Sequence, residues 1–389
     1  MLLNRLMERS RQLRLRIRLL RRRARLVRDR RPLVVVPSIL GTRLADQRGR
    51  LLWGGVRRLY FGPAVGDETD VVTAGLLHGF TILPGLLHYD VFGGLLRFLA
   101  DVGGYVPGED LHVVEYDWRG GIAHAGQQLG ETLARLRGAG EERFDLLGMS
   151  TGGLAMRWLL AQGPAPVHRV IYVGTPHRGS AAALWHLAEG VQPAPFGKSF
   201  AGSAVACFQT SWDALPHPDE PVFVSDDGEP LDLNLYDAST WSRLGLAAGC
   251  RDVQARLDAA ARLHRTLENA SHPDSFAIGA RHLPTVSRCI VSGGRGTFPP
   301  CDPRSDDPRL EFAFEPGDSS VSERSLGAAP GLDPSRIWFV HIDQHRALPA
   351  HPEVHRLILE ALLATDRAIP LTLLGRKTTR ALPVAGPAC

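Results

Sequence analysis

Ser150 stands between two glycines, in Gly148-Met149-Ser150-Thr151-Gly152, where an apolar run (FDLLGM, 144–149) meets a helix-like stretch at about 152–162. A serine hydroxyl is a weak nucleophile at its ordinary pKa, so attack on a carbonyl needs a base to take its proton and an acid to orient that base. The G-x-S-x-G spacing has a mechanical reading. A strand that turns sharply into a helix strains the serine backbone, glycines to either side admit close neighbouring chain, and the hydroxyl is lifted clear of the sheet near the helix's positive end. The same five residues also fit a plain strand-to-helix turn, and what separates the two readings is the rest of the constellation.

The partners should follow in the order Ser, Asp, His. In FVHIDQHRALPAHPEVHRL (339–357) four histidines compete, and His345 falls in the loop between the last strand and the last helix. His341 reads as a packing residue within the strand, while His351 and His355 fall at or inside the helix. For the acid, EPGDSSVS (315–322) puts Asp318 in a glycine-flanked turn after a strand, whereas Asp302, Asp306 and Asp307 lie in a proline-rich loop and read as solvated surface. Asp318 would fix the imidazole tautomer and stabilise the imidazolium. An oxyanion hole needs two oriented N–H donors. The amide of Thr151 is one candidate, and VPSILG (36–41) offers Ser38 and Ile39 for the other, with Ile39 preferred.

These residues need a scaffold. From Arg31 onward short apolar runs alternate with helix-like stretches, the pattern of an α/β fold with a mostly parallel sheet. Strands are expected in 32–41, 111–120, 144–149, 168–180, 285–294, 309–318 and 335–343, and helices near 124–138, 152–162, 251–268 and 352–365. The implied organisation is a core of 32–185 and 285–366 with a lid-like insertion at 42–80. A cap is inserted at 186–284, a basic leader covers 1–31 and a tail covers 367–389.

The chain's 389 residues, 44% hydrophobic, suffice for a sizeable core and exclude a disordered or fibrous protein. Its net charge of +4 is unevenly spread: residues 1–31 hold thirteen arginines against Glu8 and Asp29, a local +11, which leaves −7 for the remainder. Basicity therefore belongs to the leader, and the folded body is not expected to bind nucleic acid. Leu3, Ile17 and Ala24, with Leu6, Leu13, Leu20 and Val27, recur at heptad spacing. A helix there would gather them on one face ringed by arginine, as a helix on an anionic membrane surface does. The alternatives are a solvated, partly disordered arm, a nucleic-acid-sticking tail, or an upstream start codon that is not used. Cys207, Cys250, Cys289, Cys301 and Cys389 are odd in number and form no CxxC pair, which argues against a disulfide framework and a zinc site, although Cys289 and Cys301 would be able to pair in an oxidising compartment. With neither a membrane-length apolar run nor a signal-peptide core, the expected location is cytoplasmic, peripheral to a membrane at most, and no cofactor is expected.

VVVPSILGTRL (34–44), EYDWR (115–119), GMSTGG (148–153), VGTPHRGS (173–180), PGDSSVSERSL (316–326) and DQHRALPAHPEV (343–354) together resemble the lecithin:cholesterol acyltransferase family, which includes phospholipid:diacylglycerol acyltransferases and lysosomal phospholipases. The resemblance implies an α/β-hydrolase with a cap and a Ser150, Asp318, His345 triad with oxyanion donors at Ile39 and Thr151. It also implies transfer of an acyl chain from a lipid ester to water or an acceptor alcohol. LLWGGVRRLYFGP (51–63) occupies the place of the family's membrane-contacting lid, where Trp53, Tyr60 and Phe61 suit an interfacial surface or simple packing. Two features depart from the pattern: residues 38–80 contain no cysteine for the lid disulfide of secreted members, and the acid turn reads GDSSV where G-D-G-T-V is usual. Against the enzyme stands a non-catalytic lipid- or protein-binding module of the same fold, with the leader as its working part.

Overall fold

The computed structural model describes residues 30–56, 70–83, 87–140, 142–192, 199–246, 250–299 and 306–364, together with 14, 17–22 and 24 of the leader. Tyr60, Phe61, Cys301, Asp302 and the tail from 367 onward lie outside the described residues.

Six strands form a parallel central sheet: β1 (Leu33–Val36), β2 (Leu111–Val113), β3 (Phe144–Met149), β4 (Val167–Val173), β5 (Ser275–Gly279) and β6 (Ile337–Phe339), in the order β6-β5-β4-β3-β1-β2. A parallel sheet is covered on both faces, which is why its strands read as unbroken apolar runs. All four residues of β1 are buried. Side chains alternate between faces along a strand, so Val34 and Val36 join Leu129, Leu133 and Met156 in one core cluster. Leu33 and Val35 join Leu95, Leu99 and Ile358 in the other. The helices supplying these residues are α1 (Gly93–Asp101), α2 (Ile122–Gly138), α3 (Thr151–Ala161) and α6 (Pro352–Leu362); α4 (Ala181–Glu189) and α5 (Val253–Leu267) also pack into the first cluster. The chain passes from β1 to β2 on one side and then back across to β3 on the other, so the strand order reverses between β1 and β3. The crevice at the carboxyl ends of strands flanking such a reversal is where open α/β sheets bind ligands.

The fold departs from the sequence expectations in its fifth strand, in the stretch 285–294 and at the leader, and Leu310–Ala313, within the stretch 309–318 expected as strand, is a helical turn. The fifth sheet strand is Ser275–Gly279, inside the stretch read as cap. The stretch 285–294 does not run through as one strand, because Gly293 and Gly294 adopt φ of +55° and +77° and reverse the chain between Cys289–Ser292 and Arg295–Thr297. Two residues with positive φ favour a tight hairpin turn of the twist-matched kind. The neighbouring Leu283–Val286 pairs antiparallel with Phe314–Gly317, away from the central sheet. Finally, Leu20 and Ala24 of the leader are buried against Leu359 and Leu363. At those two positions the apolar face covers protein.

Candidate active site

Ser150 follows β3 and precedes α3 with φ +50° and ψ −121°, a conformation that costs a non-glycine residue on the order of 1–3 kcal/mol. It is held there by bonds from its own N–H to Val173 O (2.7 Å) and from Gly153 N–H to Ser150 O (3.0 Å). The flanking glycines are required by contact rather than by dihedral angle. A methyl group on Gly152 would lie 2.3 Å from Val36 O, and one on Gly148 would lie 2.7 Å from Gly153 N.

The acid is aimed by a second small sheet. Asp318 follows Phe314–Gly317 and is almost wholly buried. Its Oδ1 accepts the amides of Ser320 (3.0 Å) and Val321 (2.7 Å), leaving Oδ2 to accept from His345 Nδ1 at 2.7 Å. Ser319 occupies the turn position where the resembled family has glycine, and it does so with φ +78°, a left-handed conformation. Its amide donates to Thr285 Oγ1 (2.9 Å) and its hydroxyl accepts the amide of His345 (3.2 Å), which ties the acid turn to the base loop.

His345 Nε2 lies 3.0 Å from Ser150 Oγ. Burial pushes the imidazole pKa down, but the charge of Asp318 and its hydrogen bond outweigh this, and the net shift is upward from 6.5. The three residues singled out in the sequence thus form one hydrogen-bonded chain. The rival histidines are engaged elsewhere: His351 caps the last helix by accepting the amide of Glu353 (3.3 Å), and His355 is buried with Nε2 at 2.6 Å from Pro349 O. His341 lies beyond the end of β6 and is exposed, its ring 4.4 Å from that of His282, so the expectation of a packed strand residue is corrected. Among the rival acids, Asp307 is paired with Arg309 at 2.7 Å.

The oxyanion side differs from expectation in one respect. The amide of Ile39 donates to Thr151 Oγ1 at 2.8 Å and is therefore not a free donor. Leu40, next in the loop, adopts φ +65°, and no acceptor for its amide occurs among the described residues. Sequence reasoning passed over Leu40, since a positive φ at leucine carries no sequence signal. Trp53 holds this loop by donating from Nε1 to Leu40 O (2.8 Å). It is buried, with edge-on contacts to Trp118 (5.9 Å) and Phe200 (5.8 Å), so it lines the site and is no part of an exposed interfacial surface.

A cavity of about 370 Å³ opens over Ser150, walled by side chains such as Trp53, Phe80, Tyr89, Phe200, Val205 and Leu348. His186 also lines it, kept neutral because burial, with the nearby His345 charge, lowers its pKa to about 4. Among the described residues no His, Cys, Asp and Glu side chains are grouped to hold a metal ion. Cys289 is a buried free thiol.

No protein-family model and no curated protein matches the sequence. Among solved structures, the Tle4–Tli4 complex contains a chain similar to this one, 13% identical, with 86% of this chain and 98% of that chain covered and a TM-score of 0.54. A lipase of Bacillus licheniformis, BlEst2, is similar at lower TM-scores. Its propeptide form gives 0.42, at 14% identity over 92% of this chain and 53% of that one, and its mature form 0.40, at 13% identity over 87% and 94%. At such identities the likeness is one of fold, and it rests on the first of these structures. With six parallel strands, helices on both faces and the strand-to-helix turn at Ser150, this chain has the α/β-hydrolase fold.

Proposed function

We propose that the protein is a serine hydrolase of lipid acyl esters working through an acyl-enzyme on Ser150. The observation that carries the reading is the continuous chain Ser150 Oγ, His345 Nε2 and Nδ1, Asp318 Oδ2, at 3.0 and 2.7 Å, on the wall of an apolar cavity. Asp318 fixes the tautomer with the proton on Nδ1, so Nε2 accepts the Ser150 proton as Oγ attacks the ester carbonyl. The oxyanion is met by the amide of Thr151 and an amide of the Ile39–Leu40 loop, and the imidazolium returns its proton to the departing alcohol. Water, activated by the same His345, then releases the acid. An alcohol taking the place of water would give the O-acyl transfer implied by the resemblance to the lecithin:cholesterol acyltransferases. Apolar walls favour an acyl chain as the bound portion, since burying apolar surface stabilises by roughly 25 cal/mol per Å².

A fluorophosphonate probe tests the nucleophile: native protein should be labelled and Ser150→Ala should not. Equal labelling of both, or none of the native protein, would refute the reading. Incubation with a long-chain acyl ester plus an alcohol, followed by product analysis, separates transfer from hydrolysis.

A further inference from the structure

Arg346 follows His345 directly and lines the same cavity. Its guanidinium is held at two points, donating from Nε to Gln344 Oε1 (2.7 Å) and from an Nη to Gln192 O (3.0 Å). Both acceptors are neutral. Arg169 is matched by Asp274, Arg178 by Glu220, and Arg356 by Glu353 and Glu360, whereas Arg157 is bonded, like Arg346, to carbonyls, those of His177 and Leu267, but does not line the cavity. No carboxylate lies within ion-pair distance of Arg346 among the described residues, and neither Asp nor Glu lines the cavity. Asp318 is turned away beneath His345, bonded to its Nδ1. Among the described residues that line the cavity, Arg346 is therefore the one fixed positive charge, beside the base and in surroundings otherwise apolar or neutral. Holding a cation with neutral acceptors orients its fork without cancelling its field, and a guanidinium with open donors is matched by a carboxylate or phosphate through charge-assisted hydrogen bonds. Partial removal from water makes such a contact stronger than on an open surface.

We infer that Arg346 is a specificity residue, selecting esters that carry an anionic group, carboxylate or phosphate, within a side chain's reach of the scissile bond. The inference rests on the proposed ester chemistry and names the substrate class within it.

Two pairs of chromogenic esters locate the anion. 4-Nitrophenyl hemiglutarate against 4-nitrophenyl pentanoate puts the charge on the acyl side. 4-Acetoxybenzoate against its methyl ester puts it on the leaving group. After correction for hydroxide-catalysed rates, kcat/KM should favour the anionic member at least tenfold in one pair. Arg346→Gln should abolish that preference, Arg346→Glu should reverse it, and Arg346→Lys should keep part of it. An unchanged preference in Arg346→Gln, or none in the native protein for either pair, overturns the inference while leaving labelling of Ser150 and turnover of the neutral esters intact. Calorimetric binding of the same esters to Ser150→Ala protein tests it without turnover. The anionic member should bind more tightly and lose that advantage in Arg346→Gln, and equal affinities would overturn the inference even if Ser150 proved inert.

Discussion

The amide of Ile39 donates to the hydroxyl of Thr151 at 2.8 Å, so the residue after Ser150 holds the loop that faces it. Tyr116 holds the same loop from another side, its hydroxyl donating to Pro37 O at 2.5 Å. Loop 37–40 is thereby fixed from two sides, by the start of α3 and by Tyr116, and the free Leu40 amide is held by its neighbours. Thr151→Val keeps the shape and removes the acceptor. Loss of one oriented donor typically lowers kcat by 10²–10³, so loosening one should lower it about tenfold to hundredfold on a short-chain ester. KM should change little, and Thr151→Ser should restore the rate. A Val variant with native kcat would show that the bond does not organise the site.

His345 must be neutral to accept the Ser150 proton, and Asp318 raises its pKa above 6.5. Activity should therefore fall as pH drops through an inflection above 6.5, because protonation removes the base. Asp318→Asn removes the charge that raises the pKa, so any residual activity should persist to lower pH. Measured pH profiles of kcat/KM check both statements. An inflection that stays put in Asp318→Asn would assign the titration to another group.

Much of this site was legible because its parts are local and ordered along the chain. The buried runs LVVV (33–36) and FDLLGM (144–149) name two central strands, and Asp318 and His345 each follow a strand in the order the chemistry needs. What escaped the sequence depends on three-dimensional neighbours. SFAIG (275–279) is too short to stand out from the irregular stretch before it, and only pairing with Val170–Val173 and Ile337–Phe339 makes it a sheet strand. Likewise nothing in VPSILG says that the Ile39 amide meets a threonine hydroxyl 112 residues later. The heptad face of the leader was visible, but its contact with the last helix at Leu359 was not.

The close approach at Gly152 makes a prediction about stability. An alanine methyl there would fall 2.3 Å from Val36 O and 2.5 Å from Pro37 O, both main-chain atoms that yield only by moving β1 or the loop after it. Overpacking of this kind costs about 1–3 kcal/mol. Gly152→Ala should lower Tm by several degrees and lower kcat as well, since the displaced segment leads into the Ile39–Leu40 loop. Gly163→Ala is no control for space, its φ being +126°, whereas Gly138→Ala meets nothing within 4 Å and should be neutral or stabilising. Equal Tm values for Gly152→Ala and Gly138→Ala would contradict the crowding seen at Val36.

Asp213 carries a pH dependence of opposite sense to that of an ordinary surface carboxylate. It sits at the end of the short helix Gln209–Asp213, fully enclosed, and its Oδ2 accepts the amide of Ile122 at 2.7 Å where α2 begins. Its Oδ1 accepts from Gln209 Nε2 at 2.8 Å. These bonds favour the anion, but burial outweighs them and pushes the carboxyl up to about 6. A folded-state pKa above the unfolded value means the folded state holds the proton more tightly. Its contribution is present in full below the unfolded pKa near 4 and is lost as pH rises through about 6, amounting to something on the order of 3 kcal/mol. Asp213→Asn keeps an oxygen for Ile122, and rotation of the Gln209 amide supplies an acceptor for the new NH₂. The variant should match the native protein in urea unfolding near pH 4 and gain on it steadily up to about pH 7. If the difference in unfolding free energy between the two were flat across that range, Asp213 would have to be ionised in the folded protein at pH 4, and the capping contacts would outweigh burial after all.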